Sequence, residues 1–200
     1  MPAKKKIAVV AYSLLKTDPL TADAIVFRDT LNKAGYNAGL VAQSAFDETN
    51  AAHFKTAAQW KTYDGVVICG FYPYWNLREL TLSQLPVICA NIGYVDDLGL
   101  GEDQQEHVSE HLCNVVAAHP IIAGAGLAVG GLNIGNAVWL DSTSTLDHLV
   151  NELITTPANK PVLIAHKTHK LVYFGWYLMS AASAGSPLFK LIVSAAKWAF

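Results

Sequence analysis

Continuous apolar runs alternate with amphipathic stretches in the first half of the chain. Strands covered on both faces lose the alternation of half-exposed ones, so such runs indicate buried strands. They span 7–13, 37–42, 64–71 and 85–92. Between them, Thr21 or Asp23 could cap a helix over 24–34, and weaker helical patterns cover 51–60 and 77–82. Strands that alternate with helices in this way predict a doubly wound, mainly parallel α/β sheet.

The second half of the chain has a less regular pattern. The stretch 107–116 fits a helix or a strand, and 123–135 is rich in glycine. A short strand is predicted at 137–140, and 145–154 is amphipathic with polar flanks.

The end of the chain gives clearer signals. The apolar runs 161–166 and 170–176 are joined by Lys167-Thr168-His169, which predicts an antiparallel hairpin with an exposed tip carrying His166 and His169. Pro187 then opens a last helix that runs through Trp198, because proline at the first helical turn loses no hydrogen bond.

Composition limits the class of protein. The 200 residues suit a single domain, 1–200, and they are 52% hydrophobic and only 15% charged. The net charge of −2 gives no electrostatic reason to expect nucleic acid or an anionic membrane as partner. Lys4-Lys5-Lys6 before an apolar run imitates a signal peptide, but Lys16 and Asp18 interrupt its cleavage region. We therefore expect a cytoplasmic protein without membrane spans.

The segment Cys89-Ala90-Asn91-Ile92-Gly93 ends the fourth predicted strand. A nucleophile elbow needs small residues two positions before and after the reactive side chain, since the backbone there is strained. That spacing centres on Asn91, whose side chain is not a nucleophile. Centred on Cys89 the chemistry fits, but the flanking residues Val87 and Asn91 do not. The three cysteines, Cys69, Cys89 and Cys113, have no metal or redox spacing and are expected to be buried thiols.

Several ordered segments resemble the class I glutamine amidotransferase-like fold, and within it the ThuA-like branch. They are KIAVVAYS, YDGVVICG, PVICANIGYVDDLGL, AHPIIAGAG, KPVLIAHKTHKLVYFGWYL and the terminal AAKWAF. The resemblance covers nearly the whole chain and is strongest in the hairpin and last helix. It implies a flavodoxin-like, doubly wound sheet with a late antiparallel hairpin and a C-terminal helix.

The resemblance also implies where catalytic residues would lie. Catalytic members of that superfamily carry cysteine on the elbow and take His and Glu from near the end of the chain. Here the elbow position is Asn91, and no His-x-Glu follows the hairpin. We therefore expect no catalytic residues. The alternative is a small cysteine-dependent hydrolase or amidotransferase-like enzyme that uses Cys89 or Cys69 with His119 or His166 as base.

Metal and cofactor motifs give weaker signals. His107 and His111 are spaced four apart and would share one face of a helix, but a solvated face is the commoner explanation. The first strand ends in Ser13-Leu14-Leu15, and glycines 124–135 do not open a helix after it, so no phosphate cradle is present. We expect neither a metal nor a cofactor.

Aromatic residues cluster after the third predicted strand and in the late hairpin. Ligands of open α/β sheets bind at the carboxyl ends of strands, where Tyr72, Tyr74, Trp75, Asn91 and Trp176 are predicted to lie. The cluster fits a protein interface, a sugar-like or aromatic small ligand, or a minor core. With no nucleophile and an apolar composition, the sequence favours a binding or structural subunit of a homo-oligomer or larger complex, such as a virion or other multi-subunit shell.

Overall fold

The computed structural model describes residues 3–15, 21–69, 76–90, 97–100, 106–142, 148–175 and 186–200. The strands are β1 (Lys6–Ala11), β2 (Asn37–Ala42), β3 (Gly65–Ile68), β4 (Val87–Cys89), β5 (Glu106–Val115), β6 (Gly130–Ser142), β7 (Val150–Thr155), β8 (Pro161–His166) and β9 (Leu171–Phe174). The helices are α1 (Ala22–Lys33), α2 (Ala57–Trp60), α3 (Arg78–Ser83), α4 (Pro120–Gly124) and α5 (Pro187–Ala199), with a 3₁₀ turn at Gln43–Phe46. No helix within these ranges combines the length and apolar character needed to cross a membrane.

The described strands form a nine-stranded sheet in the order β2-β1-β3-β4-β9-β8-β7-β5-β6. The first five strands in this order, β2, β1, β3, β4 and β9, are parallel to their neighbours. The pairings from β9 onward to β6 are antiparallel, so β5 and β8 run against all the other strands. The predicted doubly wound, mainly parallel sheet with a hairpin and a C-terminal helix is confirmed. Its antiparallel part is larger than the predicted hairpin, because β5, β6 and β7 extend it.

Helices cover both faces of the sheet. On one face, α1, α4 and α5 pack against the strands through residues such as Phe27, Ile121 and Leu191. On the other face, the 3₁₀ turn, α2 and α3 bury Phe46, Trp60 and Leu80. The predicted buried strands follow from this arrangement, since β1, β3 and β4 have apolar partners above and below.

The last helix is fixed at both of its ends. The Ser186 hydroxyl accepts a hydrogen bond from the Phe189 N–H at 3.2 Å, and Pro187 occupies the first turn. At the other end, the Phe200 ring lies against Gly65 at the start of β3. The Lys5 ammonium donates to the Phe200 carbonyl oxygen. The helix therefore runs antiparallel to β3, with its C-terminus at the amino edge of the sheet.

The first helix begins near its predicted position but is not capped as predicted. Thr21 occupies the N-cap position without a capping hydrogen bond. Its hydroxyl instead donates to the Ser13 carbonyl oxygen at 3.0 Å and ties the helix start to the end of β1. Gly35 follows the end of the helix with a φ of 98°, a backbone conformation that disfavours other residues.

Two segments differ from their predicted structure. The expected helix over 51–60 is reduced to α2, because Thr56 and Gln59 form a capping box that starts the helix only at Ala57. The stretch 107–116, whose pattern fits either a helix or a strand, belongs to the strand β5. His107 and His111 therefore do not lie on a helix face.

A long ribbon dominates the antiparallel half of the sheet. β5 and β6 pair from Val115↔Gly130 out to Glu106↔Ser142. The predicted short strand at 137–140 is therefore the end of a thirteen-residue strand that begins in the glycine-rich stretch. Within the described residues, β5 pairs with β7 only through Asn114 and Val115. The amphipathic stretch that follows contributes β7.

Candidate functional site

The carboxyl edge of the parallel strands is where the sequence places a site. Neighbouring strands β1, β3, β4 and β9 end there in register, with Ile68 opposite Cys89 and Cys89 opposite Tyr173. The predicted binding residues Tyr72, Tyr74, Trp75, Asn91 and Trp176 all lie outside the described residues. Their placement stays a prediction, and the structure defines the strand ends that lead into them.

The strand that leads to Asn91 is held by sheet pairing up to its end. The Ala90 N–H donates to the Ile68 carbonyl oxygen at 2.9 Å, so sheet pairing continues to the residue directly before Asn91. Ala90 and Cys89 are both buried. The strand that precedes Asn91 is therefore anchored on both sides, by β3 and β9.

All three cysteines are buried, and none forms a disulfide. Cys89 is 0% exposed and belongs to the core under α2 and α3, whereas Cys69 is 8% exposed and belongs to the core under α5. The two thiols therefore point to opposite faces of the sheet. The predicted burial on neighbouring parallel strands is confirmed.

His119 lies at the amino edge of the sheet, away from both strand-end thiols. It caps α4, and its Nδ1 accepts a hydrogen bond from the Ile121 N–H at 3.3 Å. Its ring lies 5.2 Å from that of Trp198 near the end of α5. Burial, and to a smaller extent the Lys170 ammonium, lowers the pKa of His119 below its usual 6.5.

His166 also lies at the amino edge, at the end of the reversed strand β8. The expectation that it is exposed at the hairpin tip is wrong, because its side chain is only 7% exposed, whereas His169 is exposed as predicted. The Thr168 and His169 N–H groups donate to its Nδ1 at 3.2 and 3.0 Å and fold the tip over the ring.

The structure does not bring the proposed cysteine and histidine partners together. β8 is two strands from β4, and the register puts His166 about two residues nearer the amino edge than Cys89. With about 4.8 Å between strands and 3.3 Å per residue, their Cα atoms are about 12 Å apart. Side chains of a sheet stand roughly perpendicular to it, so this gap exceeds hydrogen-bond reach.

Three distant segments meet in a contact that the sequence did not predict. The Lys170 ammonium lies 4.0 Å from the centre of the Trp198 ring, which also contacts His119. No local pattern could reveal this group, because its members come from the hairpin, from α5 and from the turn before α4. Among the described residues, no three His, Cys, Asp or Glu side chains are grouped to hold a metal.

Comparison with solved structures identifies the fold. A ThuA-like protein from Bacteroides uniformis ATCC 8492 superposes with a TM-score of 0.65 and 13% identity, covering 100% of this chain and 93% of its own. A GMP synthase subunit from Thermoplasma acidophilum gives 0.56 and 13%, covering 99% and 97%. The glutaminase domain of Trypanosoma brucei CTPS, with bound acivicin, gives 0.56 and 10%, covering 97% and 94%.

The chain therefore has the class I glutamine amidotransferase-like fold, with ThuA-like proteins among its structural neighbours, as its motifs indicated. No protein-family profile matches the sequence, and no curated protein matches it. At these identities the likeness concerns the fold, and the chemistry must be argued from this chain's own residues.

Proposed function

We propose that this protein is a non-catalytic amidotransferase-like module that acts as a binding or structural subunit of a larger protein assembly. The separation of Cys69 and Cys89 from the two proposed bases, His119 and His166, carries the proposal. Cys69 and Cys89 are buried at the carboxyl ends of β3 and β4, whereas His119 and His166 lie at the opposite edge. An activated thiol requires a base within hydrogen-bond reach, and His119 and His166, the two histidines proposed as bases, lie at the opposite edge of the sheet from Cys69 and Cys89.

The residue at the elbow supports the same conclusion. Asn91 follows directly on the anchored end of β4, where the resemblance expects the nucleophile. An amide side chain can hydrogen-bond to backbone and tolerates left-handed geometry, so it can hold a tight turn without reacting. We therefore propose that the scaffold binds a partner and does not turn over a substrate.

The binding surface in this proposal is the carboxyl edge. The aromatic residues Tyr72, Tyr74, Trp75 and Trp176 follow β3 and β9, which end at that edge. Rigid aromatic side chains are enriched at the centres of protein interfaces. We propose a protein partner or a further copy of this chain, in a homo-oligomer or in a particle-like shell. The second candidate is a small ligand that binds to the same surface.

Thiol alkylation tests the absence of a nucleophile. In the native protein, iodoacetamide should label the three cysteines slowly and at similar rates, and rapidly only in denaturant. Rapid labelling of Cys89 or Cys69 alone in the native state would contradict the proposal.

Binding and turnover assays complete this test. Native mass spectrometry should detect no retained acivicin, the compound bound in the trypanosomal neighbour. The Cys89→Ala variant should lose on the order of 1 kcal/mol of stability through lost packing and leave assembly unchanged. Glutamine hydrolysis by the wild type that disappears in this variant, with the fold intact, would establish the enzyme alternative instead.

A further inference from the structure

Positive charge is concentrated at the amino edge of the sheet. The chain enters the parallel strands at this edge, and α1 and α5 end there. The described turns at the edge contain eight of the chain's 14 basic residues but, with Asp64, only one of its 16 acidic residues. The eight are exposed lysines, here called the lysine edge: Lys4, Lys5, Lys6, Lys33, Lys61, Lys167, Lys170 and Lys197. The net charge of −2, which gives no reason to expect an anionic partner, does not report this distribution.

The partners of these lysines leave their charge in place. Within the described part of the chain, no ammonium group of the lysine edge lies within ion-pair distance of a carboxylate. The Lys6 ammonium lies 4.5 Å from the centre of the Tyr63 ring. The Lys170 ammonium lies 4.0 Å from the centre of the Trp198 ring. An aromatic ring attracts a cation without neutralising it. The edge therefore presents several like charges together, and it favours an anionic partner.

Two exposed leucines lie at the same edge. Leu82, in the last turn of α3, is 54% exposed, and Leu149, directly before β7, is 38% exposed. The Lys167 N–H donates to the Leu149 carbonyl oxygen at 2.7 Å, so this leucine adjoins the hairpin tip. The lysines extend from β1 to the hairpin of β8 and β9, across four strand spacings or about 20 Å. The edge thus combines a wide basic surface with exposed apolar side chains.

We propose that the lysine edge binds the surface of an anionic lipid membrane, with its ammonium groups at the lipid headgroups and Leu82 and Leu149 at the boundary of the acyl chains. A fluid anionic surface attracts lysine by charge alone and accepts apolar side chains beside it. This surface lies at the opposite edge from the one in the proposed function, so either proposal can fail without the other.

The composition of the edge disfavours other anionic partners. Protein interfaces are enriched in arginine and depleted in lysine, whereas the described turns here contain lysine alone. Single-stranded nucleic acid stacks its bases on aromatic rings, but Tyr63 and Trp198 already hold lysine ammonium groups. Exposed leucines add nothing to contacts with a phosphate backbone, which are made by charged and polar groups.

Vesicle sedimentation with the full chain tests the proposal. The protein should bind vesicles of phosphatidylcholine with about 30% phosphatidylserine about tenfold or more tightly than vesicles of phosphatidylcholine alone. Raising NaCl from about 0.1 M to about 1 M should remove most of that difference, because the Debye length falls from about 10 Å to about 3 Å. Equal binding to both kinds of vesicle would overturn the proposal. Tighter binding to a short DNA duplex than to the anionic vesicles would assign the edge to nucleic acid instead.

Matched variants assign vesicle binding to the lysine edge. Lys61→Gln combined with Lys197→Gln should weaken it by about 25-fold, or about fivefold for each lysine. The control, Arg78→Gln combined with Lys190→Gln, removes the same charge from the first turns of α3 and α5, toward the carboxyl edge, and should bind as the wild type does. Leu82→Ser should weaken binding by about tenfold, because about half of the leucine is still exposed before binding. Circular dichroism checks the fold of each variant. Equal losses in the two double variants, or no loss in either, would refute the proposal.

Discussion

Position 65 requires glycine because of a neighbouring side chain rather than because of its backbone conformation. A Cβ at this position would collide with the Phe200 ring, which closes the core between β3 and the end of α5. Gly65→Ala should therefore destabilise the protein by about 1–3 kcal/mol, the usual range for overpacking a closed core. Urea unfolding followed by circular dichroism measures the change.

Gly39 provides the matched control for that substitution. It lies in the neighbouring part of the sheet, on the edge strand β2, and a Cβ there would meet nothing within 4 Å. Gly39→Ala should be neutral or stabilising by less than about 1 kcal/mol. Equal effects of the two substitutions would show that the ring of Phe200 moves aside at little cost.

His119 should make stability depend on pH. Its folded-state pKa is lowered, first by burial and then by Lys170, so the unfolded chain binds a proton at higher pH than the folded chain does. The stabilisation is complete above the unfolded pKa of about 6.5 and is lost as the pH falls below it toward the folded value. Urea unfolding at about pH 7.5 and about pH 5.5 should show lower stability at the acidic value.

His119→Asn separates this histidine from the others. Asparagine preserves a capping acceptor for the Ile121 N–H but does not titrate in this range. The variant should lose part of the difference in stability between the two pH values. An unchanged difference would assign the pH dependence to other groups.

At the scale of elements, α5 depends on its N-terminal cap. Ser186→Ala removes the acceptor of the Phe189 N–H and should cost about 1 kcal/mol in the free energy of unfolding. Ser186→Asp should restore most of that loss, because aspartate caps as well and its charge suits a helix N-terminus. A helix end held mainly by Pro187 and packing would show no difference among the three proteins.

The parallel half of the fold was predictable because its strands are buried on both faces. Continuous apolar runs located β1 to β4, and β2 has the predicted bounds of 37–42. The helix α5 was equally clear from Pro187 and its amphipathic pattern. In these segments local pattern and tertiary environment agree.

The β5–β6 ribbon was harder to predict because neither strand is a continuous apolar run. β5 carries polar residues at both odd and even positions, so neither face is uniformly apolar. β6 starts with two glycines, and glycine is disfavoured in strands. The two strands pair with each other at the outer end of the sheet. No local sequence pattern specifies which residues of β5 pair with which residues of β6.

The candidate site was predictable in part. The carboxyl edge follows from strand order, and the burial of Cys69 and Cys89 follows from their apolar surroundings. The position of His166 does not follow, because it depends on the reversed direction of β8, and its burial depends on backbone donors of the hairpin tip. Sequence alone therefore could not place His119 and His166 at the opposite edge of the sheet from Cys69 and Cys89.

At the scale of the whole molecule, the aromatic group at the carboxyl edge should control assembly. If it forms the interface, Trp75→Ala should weaken association by about 2 kcal/mol or more while the fold survives, since a central aromatic residue carries much of the binding energy. Sedimentation of the mutant beside the wild type measures the assembly, and circular dichroism checks the fold.

Trp198→Ala is the matched control, because it removes the same side chain at the amino edge of the sheet. Assembly should be unchanged in this variant, whereas the contacts with His119 and Lys170 are lost. An unchanged oligomer in Trp75→Ala would exclude that residue from the interface, and an unfolded one would assign it to a minor core.

The long β5–β6 ribbon divides the sheet into regions of unequal resistance to opening. Central strands such as β3 lose both neighbours only when the whole core separates, whereas within the described residues the outer part of β5 pairs with β6 alone. Isolated two-stranded ribbons are only marginally stable in water. Deuterium should therefore enter the amides of 106–110 long before those of 66–68, and the ribbon should detach and re-form while the parallel core stays closed.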